Sequence, residues 1–269
     1  SLIKWKNNKQ MLDFGKDIFP SLLLDNQILM GYNSPEYIKD CGTPKRIKSV
    51  RKHYSSMNLK SDSNKSKAIF LDRDGTIIKH VKHLNHHKQL ELIKDSAKAI
   101  KNINKSEFLS CVITNQPVIA RGDCSIEELN TIHNKMESDL GKEGSYLDRI
   151  YYCPHYPEKG FAGEVVNLKI DCNCRKPKTG LISKCVNDLN INLKLSWFVG
   201  DSTTDIMCAK NAEINSVLVN TGLSGMDYKY LVNPDYSFNN LNTTVNFILK
   251  IYPKIYSLIE KLNFKKKIF

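Results

Sequence analysis

No stretch of the 269-residue chain approaches the roughly 20 consecutive apolar residues that a membrane-spanning helix requires, so no membrane partner is expected. The basic first residues lack the apolar core and cleavage site of a secretory signal, which points to the cytoplasm. No internal repeat is visible, and this excludes a repeat architecture. Acidic residues are scarce: 28 Asp and Glu against 40 Lys and Arg leave a formal net charge of +12. Apart from the run at 265–267 the lysines are scattered, so no nucleic-acid partner is expected. A small anionic molecule suits the same sign of charge.

What is present is enough for a core: 41% of residues are hydrophobic, which suits one ordinary domain and something smaller. Three of the eight cysteines crowd with a histidine into one short segment. In a reducing compartment that pattern points to metal ligation rather than disulfides, and the other five read as ordinary thiols. Residues 55–66 are polar, serine-rich and without apolar periodicity, which marks a linker. Beyond it, short apolar runs (KAIFLD, FLSCVITN, DRIYYC, LSWFVGD, SVLVNTG) alternate with amphipathic stretches beginning near Lys94, Ser125, Thr179 and Thr203. The alternation predicts an α/β fold with a doubly wound parallel sheet. A short strand after about Asp235 and a helix interrupted by Pro253 are expected to follow. The expected divisions are an N-terminal segment 1–54, the linker 55–66, the sheet domain 67–250 and a basic helical tail 251–269.

In such sheets ligands bind beyond the carboxyl ends of the strands, so the polar residues ending each run matter most. FLDRDGT places Asp72 and Asp74 two apart, where both can face one crevice. Asp72 can attack phosphorus while Asp74 serves as general acid and then base, with Gly75 allowing the turn. VITNQ brings the Thr114 hydroxyl to a strand tip as a donor to a phosphoryl oxygen. In CRKPKTG, Lys176 can neutralise phosphoryl charge and the Arg175 fork can grip further substrate oxygens. FVGDSTTD supplies Asp201 to a hard oxygen site suited to magnesium, with Asp205 one helical turn on as support. Taken singly, each is ordinary turn, cap or surface chemistry. Their joint occurrence, in order and at strand ends, reads as one phosphoryl-transfer site.

FLDRDGT, VITNQ, the lysine of RKPKTG and VGDSTTD resemble the four motifs of the haloacid dehalogenase (HAD) superfamily, over roughly residues 67–222. The resemblance implies a Rossmann-like fold and an aspartyl-phosphate mechanism with Asp72, Asp74, Thr114 and Lys176 as catalytic residues. It also implies magnesium held by Asp72, Asp201 and the main-chain carbonyl of Asp74.

Before RKPKTG, Cys153, His155, Cys172 and Cys174 form two short ligand pairs separated by a long loop. Three sulfurs and one nitrogen suit a closed tetrahedral zinc site, expected to stiffen the loop that delivers Arg175 and Lys176. This arrangement beside RKP resembles the D-glycero-D-manno-heptose bisphosphate phosphatases and the related histidinol-phosphate phosphatases. NQPVIARG and IYYCPHYP resemble the heptose branch. That resemblance implies a small phosphorylated sugar as substrate, with Arg73, Asn115, Gln116, Arg175 and His83 as contacts. KHVKH replaces the Gly-Tyr segment usual there, and Ser202 stands where many carry lysine, so the reaction type is implied more strongly than the substrate. His80, His83, His86 and His87 read as a polar exposed loop rather than a further metal site.

LDFGKDIFPSLL and GYNSPEYIKDCGTPKR, within 11–54, resemble the final portion of sugar-1-phosphate nucleotidyltransferases, with Asp40 matching a metal-binding aspartate. The glycine-rich nucleotide loop is absent, so the segment is not expected to transfer nucleotides alone. Association with a nucleotidyltransferase chain and a purely structural role both stand open.

Overall fold

A computed structural model describes residues 12–29, 40–56 and 65–252. Contacts divide the chain into compact units at Ser1–Pro35 and Glu36–Phe269. In the first, a π-helical turn at Phe14–Ile18 leads into α1, Phe19–Leu24. Asp13 opens the turn, its carboxylate accepting from the Lys16 amide at 2.8 Å. The second unit begins with α2, Pro44–Ser56. Asp40 lies just before it, accepting from the Gly42 amide and pairing with Arg46. The expected nucleotidyltransferase-like metal aspartate is thus occupied in a turn.

Six parallel strands form the sheet: β1 Lys67–Leu71, β2 Phe108–Asn115, β3 Arg149–Cys153, β4 Trp197–Gly200, β5 Asn215–Val219 and β6 Tyr236–Phe238. Their order is β3-β2-β1-β4-β5-β6. Its winding reverses beside β1, which pairs with β2 on one edge and β4 on the other. The crossovers carry α3 (Ser96–Asn104), α4 (Pro117–Ala120), α5 (Ile126–Lys142), α6 (Gly180–Leu189) and α7 (Thr203–Asn211). Residues 241–252 are also helical. Pro253, the tail beyond it and linker residues 57–64 lie outside the described residues.

The central strands are buried on both faces, which is why they read as continuous apolar runs. Along β1, Ile69 and Leu71 join a cluster with Ile100 of α3, Leu129 of α5 and Val245, whereas Ala68 and Phe70 join Ile182 of α6 and Ala209 of α7. Each fully buried Leu, Ile or Phe in these layers contributes about 1.5–3 kcal/mol over exposure. Helix starts follow local chemistry. The Ser125 hydroxyl accepts from the Glu128 amide at 3.0 Å to cap α5, with two glutamates in its first turn. Ser202 and Asp205 form a reciprocal capping box on α7. No described helix is long and apolar enough to cross a membrane.

Candidate active site

The reversal beside β1 opens a crevice at the carboxyl ends of β1, β2 and β4. Asp72 directly follows β1, Thr114 is the penultimate residue of β2, and Asp201 directly follows β4. These residues and Lys176 line one cleft of about 340 Å³. The four motifs therefore converge, as their placement at strand ends implied.

At the base of the cleft, Lys176 Nζ donates to Asp72 Oδ1 at 2.7 Å and to Asp205 Oδ1 at 2.6 Å. Burial by itself lowers the lysine pKa, but the carboxylates of Asp205 and Asp72 more than reverse this and keep it an ammonium. The other Asp205 oxygen accepts from the Ser202 amide and hydroxyl at 3.1 and 2.6 Å. With both oxygens engaged, Asp205 aims Lys176.

Asp201 Oδ2 accepts from the Leu223 amide at 2.6 Å. A side chain on either flanking glycine would strike it: a Cβ on Gly75 would lie 2.1 Å from that oxygen, and one on Gly222 2.0 Å. Gly75 also has φ +78°, where side chains are strained. Burial, then the neighbouring Asp205 and Asp72 carboxylates, push Asp201 up to about 8. Burial likewise pushes Asp72 up to about 7, with Lys176 opposing. Three carboxylates thus face one ammonium, and the ligand atoms of Asp72, Asp201 and Asp205 lie within 4.8 Å of one another. A hard divalent cation fits this excess of buried negative charge.

Asp74 is held from two sides. The Arg73 guanidinium donates to both its oxygens at 3.1 Å, and Gln116 Nε2 donates to Oδ2 at 3.0 Å. The same Gln116 amide donates to Thr114 Oγ1 at 2.9 Å, leaving that hydroxyl its own proton to donate. Gln116 Oε1 accepts from Arg73 at 2.8 Å.

Three residues expected to contact substrate line the cleft and are also tied to its other groups. Arg73 is only 1% exposed and Gln116 3%, and their hydrogen bonds reach Asp74, Thr114, His133 and each other. Asn115 Oδ1 accepts from the Lys176 amide at 2.9 Å and its Nδ2 donates to the Lys176 carbonyl at 3.1 Å, so it pins the lysine's backbone. All three are thus bonded to Asp74, Thr114 or Lys176. Arg175 and His83 remain beside the cleft as candidate contacts.

The HAD-hydrolase-like family model matches residues 173–244. D-glycero-beta-D-manno-heptose-1,7-bisphosphate 7-phosphatase of Pasteurella multocida is 40% identical over 157 residues, which cover 58% of this chain and 83% of that relative. D-glycero-D-manno-heptose-1,7-bisphosphate 7-phosphatase of Thermosynechococcus vestitus is 32% identical over 188 residues, 67% of this chain and 94% of that one. The chain belongs to this heptose-bisphosphate phosphatase family. Among solved structures, a D,D-heptose 1,7-bisphosphate phosphatase from B. bronchiseptica, complexed with magnesium and phosphate, aligns with a TM-score of 0.60 at 28% identity. The alignment covers 68% of this chain and 98% of that one. Magnesium in that relative agrees with the hard oxygen site of this family member.

In this family member the predicted sulfur ligands also meet. Cys153 Sγ lies 3.5 Å from Cys172 and 3.2 Å from Cys174, the latter two lie 3.2 Å apart, and His155 Nδ1 lies 3.2 Å from Cys174 Sγ. The four donor atoms fall within 4.8 Å of one another, a set that suits tetrahedral zinc.

Arg175 directly follows this cluster. Its guanidinium donates to the His155 carbonyl at 3.2 Å and lies 4.9 Å from the Tyr156 ring centroid. Across the cleft, His83 Nε2 accepts from Arg121 at 3.2 Å. Burial and then Arg121 lower the His83 pKa. His86 and His87 are half-buried rather than exposed, because the His87 amide and ring both bond Glu128 at 3.0 Å and dock this segment on α5.

Sequence reasoning did not name Lys82 within its His80–His83 segment and missed Lys229 altogether, and both line the cleft. Among the described residues neither has a hydrogen-bonding or ion-pair partner. Lys229 follows Asp227, whose carboxylate accepts from the Thr203 amide at 2.7 Å and hydroxyl at 2.8 Å, tying that segment to the start of α7. Lys82 falls in the KHVKH segment already singled out near His80 to His83, whereas Lys229 falls in no motif and no signal in the sequence separated it from the other lysines.

Proposed function

We propose that this chain hydrolyses the C7 phosphate of D-glycero-D-manno-heptose 1,7-bisphosphate. The observation that carries the reading is Lys176 bridging Asp72 and Asp205 at 2.7 and 2.6 Å while Arg73 and Gln116 hold Asp74 at the mouth of the same cleft. A carboxylate of Asp72 attacks phosphorus, and the bond from phosphorus to the sugar oxygen breaks. Asp74 gives its proton to that leaving oxygen. The ionised Asp74 then takes a proton from water, which attacks the aspartyl phosphate, releases inorganic phosphate and regenerates Asp72. Thr114 donates its hydroxyl to a phosphoryl oxygen and Lys176 neutralises charge through both steps.

Magnesium would be held by Asp72, Asp201 and the main-chain carbonyl of Asp74, and supplies further charge neutralisation at the phosphoryl oxygens. Zinc would be held by Cys153, His155, Cys172 and Cys174, fixing the loop that carries Arg175 and Lys176. Arg175, Lys82 and Lys229 supply cationic contacts for the second phosphate, with neutral His83 as a polar neighbour. Among the described residues no two cysteines are joined in a disulfide, which suits a reducing cytoplasm. Residues 1–54 are assigned to contact with a nucleotidyltransferase chain, and co-purification of the two checks that assignment.

The reading is tested with magnesium and a panel of heptose 1,7-bisphosphate anomers and histidinol phosphate. Heptose bisphosphate is expected to show the higher kcat/KM, on the order of 10-fold or more, with phosphorus NMR showing loss of the C7 phosphate. Equal or faster hydrolysis of histidinol phosphate overturns the heptose assignment.

A further inference from the structure

His133 lies on α5, well outside the four motifs, and is only 6% exposed. Its Nε2 lies 3.2 Å from Nη1 of Arg73, a side chain that is itself 1% exposed. A guanidinium has five donors and no acceptor, so His133 Nε2 must be the lone-pair partner. The ring is therefore neutral, with its proton on Nδ1. Burial, and then the adjacent guanidinium, push its pKa down to about 3, so the ring keeps that form across the working range. The Tyr152 ring, centroid to centroid 5.7 Å away, packs against it.

The same guanidinium reaches both oxygens of Asp74 at 3.1 Å and Gln116 Oε1 at 2.8 Å. Arg73 is thus spread over Asp74, Gln116 and His133, with the histidine on the end opposite the cleft. Removing that acceptor strands a buried Nη1 donor unless the guanidinium turns. Any turn also moves its contacts with Asp74.

We infer that His133 is a positioning residue, acting through Arg73 to hold the carboxyl of Asp74 where the leaving oxygen needs its proton. The inference rests on Asp74 being the general acid. Its signature is dependence on the leaving group: a sugar alkoxide needs protonation as it departs, whereas p-nitrophenolate leaves without help.

The experiment compares kcat/KM on a sugar phosphate with kcat/KM on p-nitrophenyl phosphate for wild type, His133→Leu, His133→Gln, Arg73→Lys and Asp74→Asn. His133→Leu is expected to lose about 10- to 100-fold on the sugar phosphate, mostly in kcat, and far less on p-nitrophenyl phosphate. His133→Gln restores an acceptor and is expected to recover most of the loss. Arg73→Lys cannot span the three partners and is expected to show the same selective loss, which keeps the test open if His133→Leu does not fold. Equal losses on both substrates, or none, in folded His133→Leu overturn the inference, as does an unchanged substrate ratio in Arg73→Lys. If Asp74→Asn itself shows no leaving-group dependence, the assignment of Asp74 as acid fails instead, and the two failures are told apart.

Discussion

Asp201 sits between two glycines that leave its carboxylate one position. A Cβ on Gly222 would lie 2.0 Å from Asp201 Oδ2 and 2.6 Å from the Gly75 Cα, so Gly222→Ala must push the carboxylate or a backbone aside. The variant is expected to lose about 100-fold in kcat/KM, because a displacement near 1 Å at a catalytic group has that scale. Overpacking should also cost about 1–3 kcal/mol of stability. A magnesium titration of activity with a thermal melt reads both, and an unchanged magnesium response would show that the cradle is not needed. The neighbouring carboxylates give a second prediction. Burial raises Asp72 to about 7 and Asp201 to about 8 from an ordinary 3.8, so without metal the folded state binds more protons than the unfolded chain. The sign follows: stability from these groups is present below about pH 4 and is lost as pH rises through 7 and 8. Magnesium replaces those protons, so its stabilising effect should grow with pH. After dialysis into metal-free buffer, the Tm gain on adding magnesium should be larger at pH 9 than at pH 6, and equal gains would refute the linkage.

At the scale of elements, the loop from Cys153 to Lys176 is fastened at both ends. The sulfur cluster holds one part. Elsewhere a stack runs from Arg121 over Phe161 at 4.3 Å to Lys169 at 4.3 Å from the same ring, and on to Tyr156 and Arg175 at 4.9 Å. Arg175 and Lys176 directly follow Cys174, so slack in the cluster moves both cations. Cys174→Ser is expected to lose bound zinc and about 10- to 100-fold in activity that extra magnesium does not restore. Metal analysis and kinetics on one sample check this, and full activity in a zinc-free variant would remove the cluster's role. The strands were legible in the sequence, and so was the gathering of Asp72 with Asp201 and of Cys153, His155, Cys172 and Cys174. A parallel strand buried on both faces writes itself as an unbroken apolar run, and its last polar residue marks the crevice. The jobs of Arg73, Asn115 and Gln116 were not legible, because besides near neighbours they depend on partners 42 to 61 positions away in the chain. His133 hid for a related reason: on a helix with a polar face it looks like solvated surface until its partner Arg73, 60 residues earlier, is seen to be buried beside it.

For the whole molecule, the sheet unit holds both buried clusters within residues 68–248 and every residue lining the cleft within 72–230. Ile18 and Leu22, the buried apolar residues of the first unit, belong to neither cluster. Among the described residues the cleft and both clusters are supplied by the second unit alone, so its chemistry can be tested without residues 1–35. A chain comprising residues 36–269 is expected to keep kcat/KM within about two-fold of the full chain and to melt in one cooperative step. A large loss of activity with the cooperative step intact would mean that the first unit contributes to the cleft. Loss of the step itself would mean that it contributes to the core. Retained activity would leave residues 1–35 to whatever binds their exposed Phe14, Leu23 and Leu24, apolar surface that the sheet unit's own chemistry does not require.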